Sequence, residues 1–112
     1  MKPGTTAVIF VSKRAAIDAE GYAKAAVQMD ESARKAAGYC GMHSVRDADG
    51  IGITVSYWSS DDAAKAWKAD AAHSAIREEG RNSWYEWYEL IVAEVTRGYS
   101  WKKLACFDRT GT

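Results

Sequence analysis

The sequence predicts an α+β fold in which one antiparallel sheet carries helices on a single face. Three observations support that reading. The first apolar segment is β-branched, two helix-spaced stretches follow strand-like runs, and an Asp-Gly turn joins two alternating strands in the middle of the chain. Thr5 to Val11 (Thr-Thr-Ala-Val-Ile-Phe-Val) reads as the first strand. From about Ile17 to Ala36, Tyr22, Ala26, Met29 and Ala33 recur at steps of four, three and four, which places one apolar stripe along a helix. Gly38 is a suitable stop, because glycine tolerates the left-handed backbone just past a helix end.

Tyr39 to Arg46 and Ile51 to Trp58 flank Asp47-Ala48-Asp49-Gly50, a strong hairpin signal. In the second of these strands Ile51, Ile53, Val55 and Tyr57 share one face, and Gly52, Thr54, Ser56 and Trp58 share the other. Ser59 or Ser60 then caps a helix whose first turn carries Asp61 and Asp62, where negative charge meets the positive end of the helix dipole. That helical stretch is expected to break near Asp70 and end at Gly80. Ser83 to Tyr88 reads as a short aromatic connector, and Glu89 to Tyr99 as the last strand. The order β-α-β-β-α-β is that of a ferredoxin-like sandwich, a four-stranded antiparallel sheet with both helices on one face. One domain spans residues 1–112, with a core of about 5–99 and a tail of 100–112.

Fifteen basic and fifteen acidic residues cancel, so the electrostatic footprint of nucleic-acid binding is missing. No apolar run approaches the roughly 18 residues of a membrane span, and Met1-Lys2-Pro3-Gly4 does not open a signal peptide. Cys40 and Cys106 lack the close spacing of a metal or redox motif and read as reduced thiols, which points to the cytoplasm. Strands with apolar or uncharged side chains on both faces, under helices on one face only, would expose Trp58 or its alternating neighbours. Such a face normally meets a second copy or encloses a ligand, so a homodimer is expected.

Four of the five Trp and three of the six Tyr lie between Tyr57 and Tyr88. Rings concentrated like this line a core, a pocket or an interface. Trp67 suits either a core lock or a pocket wall. The Trp84 and Trp87 pair, with Tyr85 and Tyr88, suits packing. His43 reads as a sheet histidine, and His73 as a rim residue or a proton carrier. Arg77 and Arg81 form a solvated face or face an anion. There is no Gly-x-Gly-x-x-Gly after a strand, no phosphate loop, no His-Glu-x-x-His and no paired-cysteine motif, so no metal site is expected.

Tyr57-Trp58-Ser59-Ser60-Asp61-Asp62, Ala66-Trp67-Lys68, His73, Gly80-Arg81 and Trp84-Tyr85-Glu86-Trp87-Tyr88 together resemble the antibiotic biosynthesis monooxygenase (ABM) domain family, in particular its small haem-degrading-type members. The resemblance implies a dimeric α+β barrel, two ferredoxin-like sheets packed face to face, with a pocket in each subunit. It implies oxidation of an aromatic small molecule with O₂ without metal or flavin. The resemblance points to Trp67 as a catalytic residue, with His73, one helical turn before Arg77, as its candidate companion, and Trp58, Arg77 and Trp84 are the candidate substrate-binding residues. The alternatives are a haem-binding, haem-degrading monooxygenase and a non-catalytic dimer that binds a small ligand. Trp67 falls where the haem-degrading members carry their porphyrin-distorting tryptophan. Their ligand histidine would fall near Arg77, however, and their strand-one asparagine has no counterpart between Ala7 and Ser12.

Overall fold

The computed structural model describes residues 1–69, 76–79 and 83–103. Six elements follow in the order β1 (Thr6–Arg14), α1 (Ala19–Lys35), β2 (Tyr39–Arg46), β3 (Ile51–Trp58), α2 (Asp61–Lys68) and β4 (Tyr85–Glu94). The strands form one sheet ordered β2-β3-β1-β4, and every neighbouring pair is antiparallel. This is the ferredoxin-like α+β fold expected from the order of elements.

Two strands differ in extent from expectation, and pairing explains both. β1 runs three residues past Val11 because it is central, so Ser12, Lys13 and Arg14 find partners in β3, β4 or both despite their polarity. β4 starts at Tyr85 rather than Glu89 and ends at Glu94 rather than Tyr99. Its extent is the length of β1 available to it, from Arg14 opposite Tyr85 to Thr6 opposite Glu94. The aromatic connector is therefore mostly strand, a role in which large rings pack well.

α1 opens on Asp18, whose carboxylate accepts from the Gly21 N–H at 3.1 Å. Its buried positions are Ala25 and Ala33, with Tyr22 and Met29 half-buried, whereas Ala26 is exposed. The stripe runs along a row one residue away from the expected Ala26, since positions three and four apart both lie on one face. Ser60 is the cap of α2, accepting from the Ala63 N–H at 3.1 Å. The chain turns from α1 into β2 at Gly38, whose φ of 84° is left-handed. A Cβ there would stand 2.6 Å from the Ala63 methyl carbon, so glycine also lets the turn close against α2. Asp47 closes the β2–β3 hairpin by accepting from the N–H groups of Asp49 and Ile51, each at 2.9 Å. The expected break near Asp70 lies outside the described residues; residues 76–79 are helical.

The core sits between the sheet and the two helices, where Ala33 of α1, Trp58 of β3 and Ala64 of α2 meet. Of the two faces open to Trp58, the structure gives it the covered one, with no exposed area. The bare face carries the alternating neighbours instead. Val45, Ile53 and Ile91 are exposed there. No helix among the described residues is long and apolar enough to cross a membrane.

Candidate functional site

The covered face has two aromatic ends. At the end where β3 finishes, the Trp58 and Trp67 rings stack with centroids 5.1 Å apart and planes 28° from parallel. The last residue of β3 points under the helices, and Trp67, in the last turn of α2, comes down onto it. Tyr39 meets the Trp58 ring edge-on at 5.8 Å. Both indole N–H groups find hydroxyls: Trp58 Nε1 donates to Ser56 Oγ at 3.0 Å, and Trp67 Nε1 to Ser32 Oγ of α1 at 3.3 Å. Trp67 is half-buried, and its outer edge lines an open groove of about 560 Å³ between the end of α1 and α2. Ser32, Lys35, Gly38, Ser59 and Ala63 complete that lining.

On the same side of the sheet, β4 presents Leu90 and Val92, opposite Phe10 and Val8 of β1. Both are exposed, because α1 and α2 leave this strip uncovered. Neither the groove beside Trp67 nor this apolar strip contains a described imidazole or carboxylate cluster.

The opposite end of this face lies roughly 25 Å away along β1 and is built differently. Trp84 is buried, donates its indole N–H to Asp18 Oδ2 at 3.2 Å and meets Tyr22 edge-on at 6.0 Å. Arg14 holds the Trp84 carbonyl, and its guanidinium lies 3.9 Å from the centre of the Tyr22 ring. Arg46 donates to Ser12 Oγ at 3.0 Å and to the Tyr22 hydroxyl at 3.1 Å. It reaches them because Gly52 has no side chain; a Cβ there would come within 2.6 Å of the guanidinium carbon. Tyr85 hydrogen-bonds to Tyr22, and burial, reinforced by that neighbour, holds its phenol above the ordinary value.

Of the residues singled out in the sequence, the structure brings Trp58 and Trp67 together. Trp58 has no exposed area, so it is the wall behind Trp67 rather than a surface open to a ligand. Trp84 stands at the far end with its polar atom engaged, and Arg77 is half-buried in the helical stretch 76–79. His73 lies outside the described residues. The sequence reading did not pick out Arg14, Arg46, Tyr22 or Ser12. One signal was available: Ser12 continues the inward row Val8, Phe10, and a hydroxyl on a buried row needs a partner.

Haem does not fit the described residues. His43 is the one described imidazole, and it lies on the bare face with Nδ1 3.1 Å from the Tyr57 hydroxyl. Trp67 is on the other side of the sheet, and position 77 is arginine.

Comparison with known proteins follows the same lines. The sequence profile described as "Antibiotic biosynthesis monooxygenase" matches residues 7–79. The uncharacterized protein YqjZ of Bacillus subtilis (strain 168) is 46% identical over 96 residues, covering 86% of this chain and 83% of that protein. Among solved structures, SnoaB from Streptomyces nogalater, described as a cofactor-independent oxygenase, superimposes with a TM-score of 0.73 at 11% identity, covering 85% of this chain and 96% of its own. A putative antibiotic biosynthesis monooxygenase from Nitrosomonas europaea gives 0.72 at 12% identity, covering 85% and 93%. At such identities the structural likeness speaks for the fold.

Proposed function

Because this chain belongs to the antibiotic biosynthesis monooxygenase family, we propose that it is a cytoplasmic monooxygenase that oxidises an electron-rich aromatic small molecule with O₂, without metal or flavin. The observation that supports this reading most directly is the Trp58–Trp67 stack, an aromatic wall whose outer ring lines a groove. A planar substrate gains most by stacking on such a ring, and an apolar surround favours a pocket that orients the substrate and keeps water out. The cofactor-independent oxygenase from Streptomyces nogalater shares the fold and lends the chemistry by analogy.

The chemistry balances on the substrate alone. A ring methylene flanked by phenol rings loses a proton to become an electron-rich carbanion that reduces O₂. One oxygen atom ends as a carbonyl on that carbon and the other leaves as water, both C–H bonds of the methylene being given up. In this scheme Trp67 holds the ring, Trp58 backs it, and His73 or a tyrosine hydroxyl takes the proton. Arg77 faces the developing negative charge, and Trp84, buried and bonded to Asp18 at the other end of the sheet, braces the covered face without touching the substrate. We further propose that the protein works as a homodimer joined through the bare sheet face.

Oxygen uptake by metal-stripped protein against a panel of anthrones and quinols tests the activity. Uptake above background is expected for at least one, and Trp67→Ala is expected to lower it about 100-fold through lost orientation. No uptake with any panel member, or full activity in Trp67→Ala, overturns the reading. A haemin titration read at the Soret band is expected to show no saturable site.

A further inference from the structure

One cation lines the groove beside Trp67 without a counter-charge. Lys35 stands one turn after Glu31 on α1, the order of charges that helices favour for an ion pair. The adjacent residue uses that pairing, since Arg34 meets Asp30 at 2.9 Å. Lys35 does not. It has no ion pair among the described residues and lines the groove instead.

Helical spacing assembles the rest of the wall. Ser32, Lys35 and Ala36 are three and four apart at the end of α1, and Ala63, Ala66 and Trp67 repeat that spacing on α2. One face of each helix therefore looks onto the same space. Apart from Trp67 and Lys35 the lining is alanine, glycine and serine, side chains too short to fill the space or to carry charge. Ser32 Oγ accepts from the Trp67 indole at 3.3 Å, which leaves its own O–H as a donor. No carboxylate lines the groove among the described residues, and Asp61, in the first turn of α2, is engaged with Lys65 at 3.2 Å.

The groove thus offers a flat ring, hydroxyl donors and one positive charge. Its volume of about 560 Å³ is in the range of small-molecule sites. A planar aromatic gains area and ring contact by lying on the indole. A neutral one draws nothing from the ammonium of Lys35, and a cationic one is repelled by it. A carboxylate on the ring would accept from Lys35 and from a serine hydroxyl, and bonds to a charged acceptor are the stronger kind.

We propose that the groove binds a planar aromatic carboxylate, with its ring on Trp67 and its carboxylate on Lys35. Lys35 is then a specificity-determining residue. This rests on the reading of the groove as the substrate site and adds the acid group that the substrate carries.

Calorimetric titration with two probes that differ in charge tests it: anthraquinone-2-carboxylate and 2-(hydroxymethyl)anthraquinone, neither of which has a ring methylene to oxidise. The wild-type chain is expected to bind the acid about 3- to 10-fold more tightly than the alcohol. Lys35→Met keeps the aliphatic stem and is expected to abolish that preference by weakening the acid alone; Lys35→Glu should invert it. Lys24→Met removes the same charge about three turns away on α1, outside the groove, and should keep the preference. Salt should narrow the gap, because the screening length falls from about 30 Å at 0.01 M to about 3 Å at 1 M. Equal affinities in the wild-type chain, or a preference that survives Lys35→Met, overturn the proposal. A purely structural role for Lys35 gives the second result, since it would weaken both probes alike. Binding of neither probe, or wild-type affinities in Trp67→Ala, overturns it as well. A Lys35-dependent preference with no oxygen uptake from any anthrone or quinol leaves the binding site standing and overturns the monooxygenase reading alone.

Discussion

The two ends of the covered sheet face use similar rings for different purposes. At the Arg14 end the rings are tied by hydrogen bonds: the Trp84 indole donates to Asp18, Tyr22 accepts from Arg46, and Arg14 donates to a backbone carbonyl. At the Trp58 end the rings contact each other, and the outer one borders an open groove. A lattice of long-range hydrogen bonds fixes a shape, whereas a stacked pair whose outer ring lines a groove presents a surface. This contrast is why the proposed function gives the catalytic role to Trp67 and not to Trp84.

The largest expected effect follows from removing the ring that both helices rest on. Trp58→Ala deletes a fully buried indole at the junction of β3, α1 and α2. A loss of about 3–5 kcal/mol in urea unfolding is expected, against a smaller loss for Trp67→Ala, whose ring is half-buried. If Trp67→Ala proved the more destabilising of the two, the wall-and-surface distinction would be wrong.

At the other end the key is a cation rather than a ring. Arg46→Met keeps the aliphatic stem and removes the donors that satisfy Ser12 Oγ, which has no exposed area, and the Tyr22 hydroxyl. A cost of about 1–3 kcal/mol is expected, the penalty of leaving buried acceptors unmet. Adding Ser12→Ala should recover part of it, with a coupling of about 1 kcal/mol in a double-mutant cycle. Strict additivity would show that the buried hydroxyl is not what Arg46 serves. Oxygen uptake is expected to be less affected than by Trp67→Ala.

How far the sequence shows all this depends on the distance over which each signal acts. The hairpin at Asp47, the Ser60 cap and the Gly38 stop are local, and each stands where the residues indicate. The covered face of β3 was one of two faces allowed by alternation, and only packing against Ala33 and Ala64 selects it. β4 was misplaced by four to five residues because its ends are set by β1, some eighty positions away in the chain. The stack of Trp58 on Trp67 joins two prominent residues, but nothing at their spacing shows that one is wall and the other surface. The Arg46–Ser12–Tyr22 cluster joins three elements across separations of 34 and 24 residues, and no local pattern encodes it.

The smallest effect, and the sharpest probe of the polar end, is a pH dependence. Burial first, and then Tyr22, raises the Tyr85 phenol above its ordinary value of 10. Below that value the phenol keeps its proton in the folded and unfolded chains alike, so the stability it contributes is fully present. As pH rises past 10, the unfolded chain releases the proton while the folded chain retains it. Unfolding then gains a driving force of at most about 1.4 kcal/mol per pH unit. Tyr85→Phe has no proton to lose, so its stability should fall less steeply in alkali than that of the wild-type chain, even if loss of the Tyr22 bond costs it about 1 kcal/mol at neutral pH. Parallel slopes for the two proteins above pH 10 would mean that Tyr85 is solvated, and the polar end would then be less closed than the Trp58 end.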